Sequence, residues 1–331
     1  MTMILNGTDG VTFNDASLQG AAASPYGLKN KIINGGMDIS QRNTSYTSAN
    51  SENNDDTYVL DRFYILSDGN DTIDVTQTTT VPTGAKYSIG LDVETINKKF
   101  GIAQIIENTN CVDAIGGAVT VSFKAKVSST TKLDNIKCAI VAWSGTADTV
   151  TSDIISAWGV EGTNPTLIAN ATYENTPVNL NVTTSFATYS VTATVDTAST
   201  SNLILFIWSD VTDTTLGDFL YITNVQLEIG SSATPFERRL YNTELANCQR
   251  YFEISGATGA TGNPNYHGTQ YDASPLFLGQ VQFQVTKRTA PTITSGAGST
   301  GTVSTIGISS FFFTKNSSGA YLTYWTASAE L

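Results

Sequence analysis

Apolar residues recur at every second position in several short stretches between residues 30 and 230. In VTVSFKAKV (119–127) the odd-numbered positions are apolar and the even-numbered positions are polar. A period of two is typical of a strand with one buried face. The same alternation occurs in FATYSVTATV (186–195) and in YITNVQLEI (221–229), where it predicts that Tyr221 shares a face with Val225 and Leu227.

One stretch, LILFIW (203–208), is apolar at every position. It predicts a central strand that is covered on both sides, or one whose outer face meets another subunit. Further strands are predicted at YVLDRFYIL (58–66), IDVTQ (73–77), FGIAQII (100–106), KCAIVAW (137–143) and LFLGQVQFQV (276–285). Many short strands separated by Gly, Asn, Asp and Thr clusters indicate a mainly β chain, and a jelly-roll β-sandwich is the favoured fold.

A helical period is present after the sandwich. Tyr241, Leu245, Cys248 and Phe252 are spaced at i, i+4, i+7 and i+11, which predicts a short amphipathic helix over 241–252. The thiol of Cys248 lies in the apolar stripe of that helix. It is therefore predicted to pack as a small hydrophobic group and not to act as a nucleophile.

The small-residue stretch GAAASPYG (20–27) has the composition of a linker. It divides the chain into an N-terminal arm (1–29) and a jelly-roll sandwich (30–240). The helix then links the sandwich to a C-terminal β tip domain (253–331). Within this tip, FFF (311–313) places an aromatic residue on each face of a strand, which favours burial in an oligomer.

Composition narrows the possible partners of the chain. Lys and Arg number 17 against 29 Asp and Glu, giving a net charge of −12. Phosphate backbones would be repelled, so no nucleic-acid partner is predicted. Three cysteines without CxxC spacing fit a reducing site of synthesis. No signal-peptide pattern and no run of 18 apolar residues occur, so no membrane insertion is predicted.

The residues that catalysis or a cofactor would need are scarce. His267 is the sole histidine, and GxSxG, GxGxxG and Walker A patterns are absent. The loop DGNDTID (68–74) lacks the Gly and Glu positions of an EF-hand. We therefore predict no enzyme, no cofactor and no metal, although a pair of carboxylates distant in sequence stays open.

Recognition of a sugar needs aromatic faces together with hydrogen-bonding side chains. The tip offers Tyr266, His267, Tyr271 and Asp272 in one loop, and Trp325 near the C-terminus. We predict these as receptor contacts. The alternatives are an ordered turn for the loop, and a core or subunit interface for the C-terminal aromatic group.

Five blocks of the sequence resemble a known family. They are NKIINGGMDISQR (30–42), LDRFYI (60–65), VQLEIGSSATPFERR (225–239), ELANCQRYF (244–252) and KRTAPT (287–292). Together they resemble tailed-bacteriophage fibre proteins whose jelly-roll domain is similar to carbohydrate-binding modules. Ser40 and Phe63 stand where the family often has Trp, which weakens the transfer of a particular sugar site.

The resemblance implies a homotrimeric tail fibre of the virion, assembled in the host cytoplasm. Residues 1–29 would attach it to other tail or baseplate proteins, and the tip would adhere to a bacterial surface glycan or protein. Two alternatives remain: a structural decoration or baseplate protein without a receptor, and a glycan depolymerase.

The motif after the last sandwich strand is predicted to form a junction. Phe236 would plug the end of the sandwich, and Glu237, Arg238 and Arg239 would hold the chain exit through charge-assisted hydrogen bonds. On the implied trimer, the apolar stripe of the helix would pack around the threefold axis.

Overall fold

The computed structural model describes residues 29–50, 53–256, 277–296, 299–315 and 324–331, together with short strands at 4–6, 10–12, 18–19, 266–267, 269–270 and 321–322. Within these residues the chain is mainly β, as predicted. It has one α-helix, Tyr241–Gln249, and two 3₁₀ helices, Ser48–Asn50 and Asn108–Asn110. No helix in the described ranges is long and apolar enough to cross a membrane.

The centre of the molecule is a jelly-roll sandwich of two antiparallel sheets. The five-stranded sheet has the spatial order Ala171–Tyr173, Ile136–Trp143, Asn202–Ser209, Phe100–Ile106 and Tyr64–Ser67. The six-stranded sheet has the order Ala187–Thr194, Ala118–Val127, Phe219–Ile229, Ser88–Val93, Ile73–Thr78 and Ser45–Tyr46. The chain crosses repeatedly from one sheet to the other, so strands distant in sequence become neighbours.

The strand Asn202–Ser209, which contains the all-apolar stretch 203–208, is buried along its whole length. Leu203, Leu205 and Ile207 point into the core between the two sheets. Phe206 and Trp208 belong to a second apolar cluster on the outer side of the five-stranded sheet. The prediction of a strand covered on both sides is therefore confirmed, and the chain itself supplies both covers.

The outer cover of the five-stranded sheet is the segment 144–170. It includes the hairpin of Ile155–Ala157 and Thr166–Leu167, and its Trp158 ring lies 5.9 Å from the Phe206 ring. The buried ammonium of Lys99 donates hydrogen bonds to carbonyls of this segment, at Val160 and Thr163 among others. It also forms a buried ion pair with Asp210. The ammonium of Lys99, which precedes the strand Phe100–Ile106, therefore fastens the segment 144–170 to the five-stranded sheet.

A β-bulge divides the strand Phe219–Ile229. Its register with the neighbouring strand shifts at Asn224, which has a φ of 52°. Before the bulge Ile222 enters the core, and after it Val225 does. The prediction that Tyr221 shares a face with Val225 is wrong, because the extra residue reverses the alternation and leaves Tyr221 on the outer face.

Three small antiparallel sheets are present among the described residues of the tip. They are Phe252–Ile254, Trp325–Ser328 and Thr292–Ser295; Thr269–Gln270, Phe277–Gln282, Ser310–Lys315 and Thr302–Ser304; and Tyr266–His267 with Tyr321–Leu322. Phe311 and Phe313 are buried in the tip core, while Phe312 is half-buried. Two of the three consecutive phenylalanines are therefore covered by their own chain, without a second subunit.

The N-terminal arm contributes a three-stranded sheet of Ile4–Asn6, Gly10–Thr12 and Leu18–Gln19. The role of residues 1–29 in attachment stays a prediction.

Candidate functional site

The five sequence blocks that carry the family resemblance meet where the sandwich joins the tip. We call this region the junction (residues 30–42, 61–62, 225–252, 287–288 and 329–331). Asn34 shows the convergence, since its side-chain amide donates to the carbonyls of Ile39 and Asp61. Its backbone N–H donates to the carboxylate of Glu244 on the helix. Asn34 thus connects three of the five blocks, because Asp61 lies in the block 60–65 and Glu244 in the block 244–252.

Gln41 connects the sandwich to the first strand of the tip. Its backbone N–H and its side-chain amide both donate to the Asp61 carboxylate, each at 2.6 Å. The same amide donates to the carbonyl of Phe252 at 2.7 Å. Gln41 and Asp61 are buried, so these bonds are shielded from competing water.

The buried Arg62 holds the C-terminal segment of the tip against the sandwich. The guanidinium of Arg62 pairs with Glu330 and donates to the carbonyl of Ile105 at 2.6 Å. It lies 3.7 Å from the centre of the Tyr251 ring. Arg42 pairs with the same Glu330 carboxylate at 3.1 Å. Two arginines of the sandwich therefore clamp one carboxylate of the tip.

Glu107 fastens the end of the helix to the sandwich. It accepts hydrogen bonds from Arg250 at 2.6 and 3.0 Å and from the Tyr251 hydroxyl at 2.7 Å. Burial alone would raise the pKa of Glu107, but the hydrogen bonds from these two residues outweigh it and lower the pKa. Glu107 is thus held as a charged anchor.

The predicted cluster at the chain exit lies at the junction. Glu237 accepts a hydrogen bond from the Asn30 backbone N–H at 2.9 Å. Arg238 pairs with Asp38 at 3.1 Å, and Arg239 pairs with Glu244 at 3.2 Å.

Phe236 is half-buried, and the guanidinium of Arg238 lies 5.9 Å from the centre of its ring. The ring also lies near Gly36, on the first segment of the sandwich.

The predicted apolar stripe is not a free face of the helix. The helix ends at Gln249, and Phe252 belongs to the next strand, where it pairs with Ser328. Cys248 is fully buried within its own chain, and burial raises the pKa of its thiol. Tyr241 is 57% exposed and Leu245 half-buried. Cys248 and Phe252 are therefore unsuited to line a threefold axis.

The structure pairs the predicted receptor residues Tyr266 and His267 with a short strand that lies just before Trp325 in the sequence. Tyr266–His267 pairs with Tyr321–Leu322, and His267 lies directly across from Tyr321. Tyr271 and Asp272 lie outside the described residues. Trp325 is 1% exposed, with Phe283 and Phe311 against its ring at 5.7 and 5.4 Å. The structure does not support Trp325 as a surface contact, because its ring fills the tip core.

The two outer faces of the sandwich each carry a stacked aromatic pair. Phe206 and Trp208 are stacked with ring centres 4.4 Å apart, and both are buried under the segment 144–170. Phe219 and Tyr221 are stacked at 5.3 Å on the six-stranded sheet, and both are only half-buried. Sequence reasoning missed this open pair, since the bulge at Asn224 that exposes Tyr221 leaves no clear signal in the alternation.

The part of the chain that the structure describes holds no cluster of three or more His, Cys, Asp or Glu side chains that could bind a metal ion. In the loop 68–74, Asp71 and Asp74 instead accept hydrogen bonds from the buried amide of Asn53, at 2.8 and 3.0 Å.

No protein-family model and no curated protein matches the chain. Among solved structures it is similar to the enzymatically active domain of tailspike protein 4 from bacteriophage CBA120, with 17% identity and a TM-score of 0.36 over 64% of this chain and 22% of that chain. It is also similar to a family 16 carbohydrate-binding module, with 16% identity and a TM-score of 0.30 over 46% of this chain and 84% of that one.

A third similar structure is the CBM22-1 xylan-binding domain from Paenibacillus barcinonensis, with 12% identity and a TM-score of 0.32 over 59% of this chain and 98% of that one. The chain thus spans less than a quarter of the tailspike domain that it matches. None of these likenesses bears on what this chain binds.

Proposed function

We propose that this protein is a non-enzymatic virion fibre that adheres to a bacterial surface glycan or protein through its tip. The observation that supports the proposal is the pairing of Tyr266–His267 with Tyr321–Leu322. This pairing joins two segments that are rich in aromatic residues and lie more than 50 positions apart in the sequence. Tyrosine and histidine are residue types that suit the recognition of a sugar or a peptide.

The ribbon rests on a rigid base. Leu322 is fully buried in the tip core, next in sequence to Tyr321. The core around it contains Phe283, Phe311 and Trp325. Binding residues on loops are most effective when a packed scaffold fixes their position.

The junction supports the same function. The Arg62–Glu330 pair and the Glu107–Arg250 pair both join the sandwich to the end of the helix or the tip. These pairs hold the tip in a fixed direction relative to the sandwich. A fixed direction suits a fibre better than a flexible connection between sandwich and tip would.

Binding of the full chain to an array of bacterial surface polysaccharides and proteins tests the adhesion. We expect His267→Ala and Tyr321→Ala to abolish binding to the ligand that the native chain selects. Thr294→Ala is the matched control, since Thr294 is an exposed residue of another tip strand. Equal binding by all four proteins would refute the tip as the adhesive part.

The proposal includes a homotrimer. It is supported by two neighbouring large apolar residues that are exposed where the helix begins. Leu240 is 81% and Tyr241 57% exposed, which is unusual for neighbouring large apolar residues. Light scattering of the native chain should give three times the chain mass, and Leu240→Asp should lower it. A native chain that stays monomeric would contradict this part.

Two further measurements separate the proposal from its alternatives. Antibody labelling of virions should mark the distal end of a fibre, whereas a decoration protein would be labelled on the capsid or baseplate. Incubation with polysaccharide from the bound host should release no reducing ends. Release of reducing ends would instead make the protein a depolymerase.

A further inference from the structure

The sandwich has four outermost strands, and one of them leaves a long edge open. Ala171–Tyr173 has three residues and Ser45–Tyr46 has two, so these two edges are short. Tyr64–Ser67 is covered by residues 55–58, which exchange backbone hydrogen bonds with it. The fourth strand, Ala187–Thr194, has eight residues. We call it the edge strand.

The edge strand bonds to its own sheet through alternate residues. It pairs with Ala118–Val127 along its whole length. The N–H of Val195, one residue beyond its end, donates to the carbonyl of Gly117 at 3.0 Å, so the odd-numbered residues bond to the sheet. Because hydrogen-bonded positions alternate in an antiparallel pair, the peptide groups of the even-numbered residues point outward. No described residue forms a hydrogen bond with these outward peptide groups, which belong to Thr188, Ser190, Thr192 and Thr194.

The edge strand has none of the features that usually protect an edge. Its sequence, ATYSVTAT, contains no charged residue and no proline. Its register with the neighbouring strand runs without a bulge, and its even-numbered side chains are exposed Ser and Thr. Soluble proteins usually protect an exposed edge with lysine, proline, a bulge or a covering segment. The edge strand is therefore a template to which a further strand can add.

The two ends of the edge strand carry opposite charges. Lys124 lies directly across from Thr188 at its start, and Lys126 projects from the same face of the sheet two positions further on. Neither lysine forms an ion pair within the described residues. Beyond the other end, the N–H of the exposed Asp196 donates to the carboxylate of Glu174 at 2.8 Å. An antiparallel copy would place each positive end beside a negative one.

We propose that the edge strand pairs with the edge strand of a second copy of this chain, antiparallel about a twofold axis at Val191. In this register Thr188 lies across from Thr194 of the second copy, and Ser190 lies across from Thr192 of the second copy. The outward peptide groups then form about eight backbone hydrogen bonds. The two six-stranded sheets become one continuous sheet.

The side chains suit this register. On the outer face Ser and Thr meet Ser and Thr, and such hydroxyls can bond across strands, as those of Thr120 and Thr192 do within the chain at 3.0 Å. On the inner face the half-buried Val191 meets its own equivalent, which removes apolar surface from water. The pairing uses neither the tip nor the exposed Leu240 and Tyr241, so it does not rest on the function proposed above.

Disulfide trapping of the full chain tests the register, since the three native cysteines are buried. With oxidised glutathione, Val191→Cys should link two chains, because residues opposite each other at a non-hydrogen-bonded position have Cα atoms about 4.5 Å apart. Thr188→Cys is the matched control: it is more exposed, but it would lie about 20 Å from its equivalent in the second copy. Random collisions would link Thr188→Cys at least as readily. That result, or no link in Val191→Cys, would overturn the pairing.

Sedimentation over a concentration series measures the association itself. The assembly that the native chain forms at low concentration should at least double in mass at higher concentration. Ser190→Lys with Thr192→Lys should weaken this step at least about tenfold, because the added charges face each other across the axis. Thr83→Lys with Thr151→Lys is the matched control, since it adds the same charge at exposed positions outside the strands.

Leu240→Asp should leave both the doubling and the Val191→Cys link intact, so a failure of the proposed trimer and a failure of this pairing are told apart. Equal association of the two double-lysine variants, or a native assembly whose mass stays constant at all concentrations, would refute the pairing.

Discussion

The two outer faces of the sandwich carry similar aromatic pairs that differ in their burial. Phe206 and Trp208 stack on the five-stranded sheet and are fully buried, whereas Phe219 and Tyr221 stack on the six-stranded sheet and stay half-exposed. In each pair the rings lie two residues apart on a long strand. The strands alone therefore do not decide which pair is available to a ligand.

The difference comes from segments outside the strands. The segment 144–170 lies over Phe206 and Trp208, and Lys99 ties it down through its carbonyl contacts. Over Phe219 and Tyr221 the described chain places no comparable segment. An aromatic pair in a sandwich thus becomes part of the core or stays at the surface according to the segment that lies above it.

The largest contrast should appear when each pair is truncated. Trp208→Ala removes a fully buried indole and should cost about 4 kcal/mol of unfolding free energy. Tyr221→Ala removes a half-exposed ring and should cost about 1 kcal/mol or less. Urea denaturation measures both, and equal losses would mean that the two faces are equally buried.

Substitution of Lys99, which fastens the segment 144–170 to the five-stranded sheet, should cause the next largest loss of unfolding free energy. Lys99→Met leaves Asp210 with Lys137 as its sole cationic partner and removes the donor from three carbonyls. We expect a loss of about 3 kcal/mol, because buried charges and carbonyls lose their partner. Hydrogen exchange in the hairpin at 155–167 should accelerate.

Lys126→Met is the comparison on the open face, where the loss of unfolding free energy should stay below about 1 kcal/mol. An unchanged exchange rate of the hairpin in Lys99→Met would show that the apolar contacts alone hold the cover.

Two glycines sharpen the comparison at the backbone. A methyl group at Gly101 would lie 2.3 Å from the Ile207 carbonyl oxygen, on the covered face. Backbone cannot yield there, so Gly101→Ala should cost about 2 kcal/mol. At Gly90 the nearest atoms are side-chain ends at 3.1 and 3.3 Å, and Gly90→Ala should cost less than about 1 kcal/mol. Melting temperatures that fall by the same amount would contradict the assignment.

The smallest effects concern two carboxylates, one near each face. Burial, together with the charges of Asp55 and Asp153, raises the pKa of Asp56 to about 7. Burial, with the charges of Glu94, Asp74 and Asp218, raises the pKa of Asp92 to about 6. Both values lie above the unfolded one of about 3.9, so ionisation destabilises the fold as pH rises from that value through the folded pKa.

Asp56→Asn and Asp92→Asn should therefore raise the melting temperature relative to the native chain at about pH 8, and not at about pH 4. The gain should develop over a wider pH range for Asp56. A constant difference at all pH values would show that the carboxyl pKa is not the cause.

The alternation of residues predicted the strands well, since it reports directly which side of a strand is buried. VTVSFKAKV lies in the strand Ala118–Val127 and KCAIVAW in Ile136–Trp143. The uniformly apolar stretch 203–208 correctly indicated two covers. The identity of the outer cover could not be predicted, because the segment 144–170 is distant in sequence and weakly patterned.

Other features depend on contacts that no local pattern contains. The helix was predicted three residues too long, because Arg250 and Tyr251 turn to Glu107 of the sandwich. The alternation around Trp325 allows either face of its strand to be buried, so the sequence leaves a receptor contact and a core position both open, and only the structure shows that the ring fills the tip core. The junction blocks were recognised from resemblance, but their convergence follows from pairings across more than 200 positions, such as Gln41 with Phe252.

The tip is attached to the sandwich near both its first and its last strand, and this has a mechanical consequence. The tip begins in the strand Phe252–Ile254, and its last strand, Trp325–Ser328, pairs with that first one. Beyond this last strand, Glu330 is gripped by Arg42 and Arg62. A force on the tip is therefore carried both by the peptide chain that leads into Phe252 and by the ion pairs of Glu330 with Arg42 and Arg62. The tip can rotate relative to the sandwich only after these ion pairs have broken.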